Sequence, residues 1–565
     1  MFSILLALLA CLPLGLAFFL IATRGRKQAM PVVCVAVAIL SLVVWRVSPL
    51  QAAASLVQGL VLSLDVVLIL FSAIFLTHVL RESRVMAFIR TGFSHIHPDR
   101  RVQAILIAWF FGSGVESLFG FSAASATCSV MLTGIGFPPA CAVIMGVMGP
   151  MVANAFGAAG LPVVLGIAEG LNQPEFLSQL AAQDLSQREF LRAVSAQIAM
   201  FHGIAGTFVP LMMAMMMTYF FGKSKSWKES LSLAPFALFC GLIFTVPYTL
   251  TAIFVGPEFP SLVGALVGMA LMLTALGTGV LFPKEKWDFP PKKDWEIKWS
   301  GGKSKYGYVY QPEVPEPMSP WKAWLPYGLL AFLIVATRLP LLPWTQFLQE
   351  QAWAWPQLFG SSVNIVLRPF SFSTVALLIV VGVSIFIFKT PTERLRGAFG
   401  YWTITVTWFA MMTAPFTMMI ACLYNQSGVN GWHWPSMAQA IAQGLAQIPY
   451  GEYWAPFIAP FIGAAGSFLT SNNIFSNVML SAFQHEWGQS LVMPEVLFPA
   501  LQAVGASVGT MFTLHYLAGG AVVGMLGSLG SLARKTMIPA LVYLSIIGTI
   551  GVLAAHGRQI THFLF

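Results

Sequence analysis

The chain has 565 residues, 57% of them hydrophobic and only 9% charged, with a formal net charge of +9 at pH 7. A water-solvated surface takes about a quarter of all residues as charged ones. A soluble enzyme, a disordered chain and a nucleic-acid binder are therefore excluded, and the excess Lys and Arg reads as loop charge on the cytoplasmic side of a membrane.

A spanning helix needs about 20 apolar residues. The first such run, 2–22, has no basic residue ahead of it, and Arg24, Arg26 and Lys27 follow it. That order fits an uncleaved first span with its N-terminus outside. Further runs at 30–48, 55–80, 192–221, 231–255, 260–282, 323–340, 371–389, 398–423 and 536–556 predict spanning helices. Two other stretches, 103–172 and 453–530, are as apolar but are interrupted by Gly, Ser, Asn and Pro, and do not parse as simple helices. Segment 283–322 is Lys- and Pro-rich and reads as a cytoplasmic linker between one membrane half, 1–282, and another, 323–565, with Trp and Lys at the headgroup surface. Segment 341–369, containing WTQFLQEQAWAWPQLF, predicts an extracytoplasmic interfacial helix, and the polar 425–450 is similar.

Cys11, Cys34, Cys128, Cys141, Cys240 and Cys422 all lie inside apolar runs without CxxC or Cys/His pairing. They read as buried small apolar residues, not as disulfides or zinc ligands. No Walker, Rossmann, HExxH or GxSxG pattern occurs, so neither ATP-driven pumping nor familiar enzyme chemistry is supported, and no cofactor is expected. The Met-rich run at 211–220 lacks a Cys or His cluster and reads as packing or lipid surface.

Placing loops 23–29, 81–102, 222–230, 283–322, 389–397 and 531–535 in the cytoplasm puts 24 of the 30 Lys and Arg there, leaving Arg46, Arg188, Arg192, Arg338, Arg368 and Arg558. This alternation closes only if 103–136 enters and leaves on the cytoplasmic side and 453–491 on the other, with both termini extracytoplasmic. The two stretches also look like copies: FFGSGVESLFGFSAASATCSVML followed by VANAFGAAGLPVVLG, and FIGAAGSFLTSNNIFSNVMLSAF followed by VGASVGTMFTLHYLAGG. The expected fold is an all-α polytopic membrane protein with two inverted structural repeats, each holding a re-entrant helical hairpin and a broken transmembrane helix. Such repeats are the signature of secondary transporters, whose substrate sits among exposed half-helix ends.

Asp65 and Glu116 are the two acids well inside apolar segments, where an ionisable group costs about 2.5 kcal/mol or more and reads as functional. Glu116, with Ser117 at the first hairpin tip, is expected to bind and release a proton; the alternative is a structural acid bonded to hairpin amides. Asp65 serves coupling or pairs with a polar helix face. At the second tip Thr470, Ser471, Asn472 and Asn473, with Ser476 and Asn477, are expected to begin a half-helix whose free N–H groups meet an anion. Ser122 and Ser125 are the counterparts in the first hairpin, Asn154 joins the group, and Gly160 ahead of Pro162 predicts a helix restart. His515 follows the second break and is a candidate anion contact or a simple hydrogen-bond donor; His202 reads as a hydrogen-bond donor between helices.

Residues 97–172, from HPDRRVQ through FFGSGVESLFGFSA and GIGFPP to AFGAAGLP, resemble the lactate permease family blocks TPDxRLQ, LEGAAGFGAP, GLGFxP and AFGAMGIP, in order and at matching spacing. GPEFP at 256–260, FLTSNNIFSN at 468–477 and GASVGTM at 505–511 are similar to the family's GPELP, FLTGSDTSSN and GGVTGKM. The resemblance places Glu116 at the family's tip glutamate, and Gly120, Phe121, Gly157, Gly160, Pro162, Thr470, Ser476, Asn477, Gly505 and Gly509 at matching positions. It also exposes departures: Asn473 stands for an aspartate, Thr510 for a lysine, and Leu514 with His515 for a Pro-Gln pair. Losing both charges is what neutralising an intramembrane pair together looks like. The resemblance implies a bacterial inner-membrane symporter of a small organic anion, a monocarboxylate such as lactate or glycolate, coupled to protons. Sodium coupling, another anion, or a non-transporting membrane subunit or sensor of the same fold are the alternatives. The expected partners are the anion, a proton or sodium ion and the bilayer; homo-oligomerisation stays open.

Overall fold

The computed structural model describes residues 2–279, 281–283, 286–300, 314–339, 342–368, 373–398 and 404–557. Its elements follow the apolar runs. The N-terminal half starts with α1 (Phe2–Arg24), α2 (Arg26–Ile39, continued by a wider turn at Leu40–Val44) and the 34-residue α3 (Pro49–Glu82). The loop expected at 23–29 shrinks to Gly25, whose φ of 77° lets the chain reverse between α1 and α2. Next come the amphipathic α4 (Val85–Ile96), α5 (Arg100–Phe119), α6 (Ala123–Gly134) and α7 (Pro139–Met148). The half closes with α8 (Gln187–Gly206), bent by 42° into α9 (Val209–Phe221), then α10 (Ala234–Phe254) and α11 (Pro260–Thr278).

The C-terminal half holds α12 (Pro320–Arg338), α13 (Ser373–Phe388), α14 (Ile404–Gln426), the short α15 (Met437–Ala446), α16 (Gly451–Thr470), α17 (Asn473–Ser490), α18 (Leu497–Gly509) and α19 (Leu529–His556). Among the described residues eight helices are long and apolar enough to cross a membrane, or nine if α8 and α9 count as one span. Arg534 and Lys535, expected in a loop, lie in the first turns of α19. The interfacial segment forms a helix at Pro343–Glu350. It also forms an unforeseen antiparallel ribbon, β1 (Trp353–Trp355) with β2 (Ile365–Leu367), whose aromatic and β-branched residues suit strands.

The two irregular stretches have the expected local shape. α5 and α6 pack antiparallel, Cys128 Sγ donating to the Ile107 carbonyl, and turn at Gly120, Phe121 and Ser122, all with positive φ. α16 and α17 pack likewise through Ser476 Oγ to the Gly463 carbonyl and Gln484 Nε2 to the Ala459 carbonyl, turning at Ser471 and Asn472. A broken segment follows each hairpin. After α7, tight turns at Gly149–Met151 and Ala153–Phe156 lead to extended Gly157, then to Ala158, Ala159 and Gly160 in the left-handed region; helical backbone resumes at Leu161 and Pro162. After α18, a tight turn at Thr510–Phe512 leads to extended Thr513, and a new turn begins at Leu514–Leu517.

Small residues let each broken segment touch its own hairpin backbone to backbone. A Cβ on Gly149 would lie 2.3 Å from the Ala108 carbonyl oxygen, and one on Gly505 would lie 1.9 Å from that of Pro460. Five cysteines are buried as expected; Cys11 instead faces outward from α1. Only part of the 283–322 linker lies within the described residues, and that part is docked. Trp287 N donates to Asp99 and its indole to Glu229, while Trp299 is buried on Phe221. Glu296 accepts from Lys225 Nζ at 2.7 Å, and that bond holds its carboxyl below the usual range.

Candidate functional site

The two broken segments meet each other, and Asn154 is where they meet. Its Nδ2 donates to Thr510 Oγ1 at 2.9 Å, and its Oδ1 accepts from the Tyr516 hydroxyl at 3.0 Å. Asn473, the first residue of α17, donates through Nδ2 to the Asn154 carbonyl at 2.8 Å. Nearby, Ser507 Oγ donates to the Met151 carbonyl at 2.6 Å. These groups are almost fully buried, where an unmade hydrogen bond costs about 1–3 kcal/mol, so the lattice fixes how the segments cross. Asn473 and Thr510 are thus both bonded to Asn154.

Each hairpin also holds the segment beyond the break that follows the other hairpin. Asn477 Nδ2 donates to the Pro162 carbonyl at 2.9 Å, and the missing side chains of Gly166 and Gly170 admit α17. Reciprocally, Ser125 Oγ donates to the Tyr516 carbonyl at 2.9 Å.

Glu116 lies in the last turns of α5 and is completely buried. The backbone N–H groups of Ser122 and Ala124 at the start of α6 face its carboxylate, yet neither oxygen has a hydrogen bond of regular geometry. Its Cγ lies 3.7 Å from where a Gly157 Cβ would be, and a Cβ on Gly120 would overlap Ala158 at 2.7 Å. The first tip therefore rests directly on the first break. Asp99, at the base of the same hairpin, is just as buried but accepts from Arg101 N, Nε and Nη2 and from Trp287 N. Asp99 has the bonding of a structural charge; Glu116 does not.

Other candidates divide between capping and contacts within their own hairpin–break unit. Ser117 Oγ donates to the Gly114 carbonyl of its own helix, and Ser122, at the N-cap position, is left-handed (φ 66°) and makes no side-chain cap, contrary to expectation. A capping residue has extended backbone, and the left-handed backbone of Ser122 is not that geometry. Asn472 is a true cap, accepting from Ile474 N at 2.7 Å. Thr470 Oγ1 donates within the tip, to the Gly466 and Asn472 carbonyls. Ser471 is left-handed and its buried Oγ has no partner among the described residues. Ser476 joins a ladder with Gln502, whose Nε2 donates to Ser476 Oγ at 3.0 Å. Gly509 lets α18 approach α16 at Ala464.

His515 sits edge-on to Tyr516 and in the field of Arg26. His202 Nδ1 pairs with the Tyr543 hydroxyl at 2.7 Å, the interhelical bond expected of it. Asp65 is buried in α3, its Oδ1 without a hydrogen bond, in the field of Arg338.

Residue reading missed Tyr516, Ser507 and Gln502, and missed two arginines. Arg26 donates from Nε to the Leu469 carbonyl at 3.1 Å and from its terminal nitrogen to Phe468, closing the C-terminal end of α16. Arg338 reaches the first break through the Ala159 carbonyl. Gln502, a polar residue in an apolar helix, carried a usable signal; for Tyr516 and Arg26 the partner is hundreds of residues away.

A family model described as L-lactate permease matches residues 6–556. The chain is 24% identical over 577 residues to the putative L-lactate permease of Haemophilus influenzae, covering 97% of this chain and 98% of that protein. It is 26% identical over 518 residues to glycolate permease GlcA of Escherichia coli, covering 86% of this chain and 84% of that one. For the L-lactate permease of Bacillus subtilis the identity is 25% over 589 residues, covering 97% and 96%. Hairpins, breaks and buried carboxylate thus stand in a chain matched almost end to end, and this multi-pass membrane protein belongs to the L-lactate permease family.

Proposed function

We propose that this chain is a secondary transporter carrying a small monocarboxylate, such as lactate or glycolate, across a bacterial inner membrane by proton symport. The observation that carries the reading is Glu116: a fully buried carboxylate faced only by the Ser122 and Ala124 N–H groups, with no hydrogen bond of regular geometry among the described residues, resting on a helix break where two hairpin–break units converge. A carboxylic acid so placed takes a proton from one side and releases it to the other as the site reorients. Asp65 is a second coupling candidate. The anion is bound beside the Asn154 crossing, by the N-terminal N–H groups of α17, with the Asn154 and Asn473 amides, which bond each other and Thr510, holding that helix end in place.

Inverted repeats are supported by which residues touch. Aligning VANAF (152–156) with VGTMF (508–512) pairs Asn154 with Thr510 and Met151 with Ser507. Those pairs hydrogen-bond each other, as matched positions do on a twofold axis. The matched glycines, Gly149 and Gly505, each press on their own hairpin. In this reading the halves are 1–282 and 323–565, the hairpins approach from opposite sides, and both termini are extracytoplasmic. Single cysteines at Ser117 and Ser471, in a background without the six native ones, are expected to label from a water-filled cavity.

The test is uptake of labelled lactate, glycolate and pyruvate into proteoliposomes under imposed proton or sodium gradients. Accumulation driven by inward proton gradients supports the reading. A response to sodium alone would shift coupling to that ion, for which the unpartnered Ser471 Oγ is a ready oxygen ligand. No uptake of any anion under either gradient would leave a non-transporting membrane protein.

A further inference from the structure

We infer that Arg338 is a positioning residue of this site: it holds the left-handed first break in place, with Asp65 and Glu258 as its counter-charges. The inference rests on the transport reading above. Arg338 ends α12, an element outside both hairpin–break units, and is one of the few basic residues that loop assignment leaves over. Its Nη1 donates to the Ala159 carbonyl at 2.6 Å and its Nη2 to Ser373 Oγ at 2.8 Å. Ala159 is the middle one of three consecutive residues with positive φ, 46°, 56° and 81°. Two of the three are alanines, for which that conformation is strained.

Strain of this kind persists only when its surroundings hold it. The segment is gripped from one side by backbone, a Cβ on Gly160 falling 2.5 Å from the Pro257 carbonyl oxygen. The guanidinium supplies another grip, a charge-assisted bond to the carbonyl that the break turns out of helical register. The break's other contact is Glu116 and Gly120, so whatever fixes Ala158–Gly160 fixes one wall of the Glu116 site. A partly buried cation gains from nearby counter-charges. The acids acting on Arg338 are Glu258, next to the Gly160 contact, and Asp65 on α3. In this inference Asp65 acts on the site through the field it shares with Arg338, while the Ala159 and Ser373 bonds carry the positioning.

The experiment uses Arg338→Gln, Arg338→Lys, Asp65→Asn and the double variant Asp65→Asn/Arg338→Gln. Two readouts are taken: monocarboxylate exchange in proteoliposomes, and thiol labelling of a single cysteine at Ala159 in a cysteine-free background. Arg338→Gln is expected to raise KM for exchange about ten-fold, the size of one lost charged hydrogen bond, and to speed labelling at position 159. Arg338→Lys is expected to restore most of both, and Asp65→Asn to shift both in the same direction by less. The double variant is expected to be no worse than Arg338→Gln, as for residues acting in series. Wild-type KM and labelling in Arg338→Gln would overturn the inference, as would Arg338→Lys behaving no better than Gln. Full additivity of Asp65→Asn would remove Asp65 from it. Should Arg338→Gln not fold, the Lys and Asp65→Asn variants decide. Labelling needs no substrate, so a wild-type protein that carries no monocarboxylate sinks the transport reading alone.

Discussion

The two hairpin–break units share a plan and differ in how they are finished. The first ends in a buried carboxylate without a hydrogen bond of regular geometry among the described residues and a break of three left-handed residues, two of them alanine. The second ends in a capped tip with one left-handed residue, Ser471, and a break of one extended residue, Thr513. Its amides are bonded: Asn472 to Ile474, Asn473 to Asn154, Asn477 to the Pro162 carbonyl. Left-handed backbone costs about 1–2 kcal/mol per non-glycine residue, and a buried ionisable group about 2.5 kcal/mol or more. Left-handed backbone and the buried tip carboxylate are concentrated in the first unit, while the second meets it through neutral amides and leaves the Ser471 Oγ without a partner among the described residues. Two units of one plan thus differ in where left-handed backbone and a buried ionisable group are placed.

The strongest way to break this contrast is to remove the first unit's charge. Glu116→Gln is expected to reduce proton-driven accumulation to that of protein-free liposomes while leaving exchange, because a permanently neutral site still reorients. In the wild type, raising pH depletes protonated Glu116, so proton-coupled uptake is expected to slow as pH rises through its pKa. Unchanged accumulation by the Gln variant across pH would remove Glu116 from the mechanism.

Putting charge back into the second unit should be nearly as severe. Asn473→Asp alone, or Thr510→Lys alone, is expected to cost about 2.5 kcal/mol or more in detergent stability. The double variant should recover part of that, since both positions bond to Asn154 and paired charges offset each other's desolvation. A double-mutant cycle should give an interaction of roughly 0.5–3 kcal/mol; a value near zero would deny them a common site.

The shared plan is tested by matched glycines. Gly149→Ala and Gly505→Ala are each expected to destabilise by about 1–3 kcal/mol, as overpacking does, because both Cβ atoms would strike a hairpin carbonyl. Gly15→Ala, where nothing lies within 4 Å, should be silent. A large effect at only one matched position would weaken the repeat.

The smallest effect separates the caps. Asn472→Ala removes a real side-chain cap and should cost about 1 kcal/mol. Ser122→Ala removes none and should cost almost nothing; equal losses in thermal midpoint would contradict the difference between the tips.

Apolar runs of spanning length, and the small polar residues interrupting two of them, placed the helices, both hairpin turns and both breaks within a few residues. These are local properties: an apolar run or a Gly-Leu-Pro restart is decided by its own residues. The burial of Glu116 was legible for the same reason, since a carboxylate inside an apolar run is conspicuous wherever it folds. Ser122 was misjudged as a cap because its backbone conformation is set by the turn onto Ala158, not by its side chain. Asn154, a minor member of the sequence-derived group, became its hub. Its partners Thr510, Tyr516 and Asn473 lie more than 300 residues away. Arg26 on Leu469 and Arg338 on Ala159 are likewise contacts between elements far apart in the chain. Residue types alone determined that buried polar groups must find partners; which partners they found was decided only when the two halves packed, because hydrogen bonds reach about 3 Å in space and have no fixed reach along the sequence.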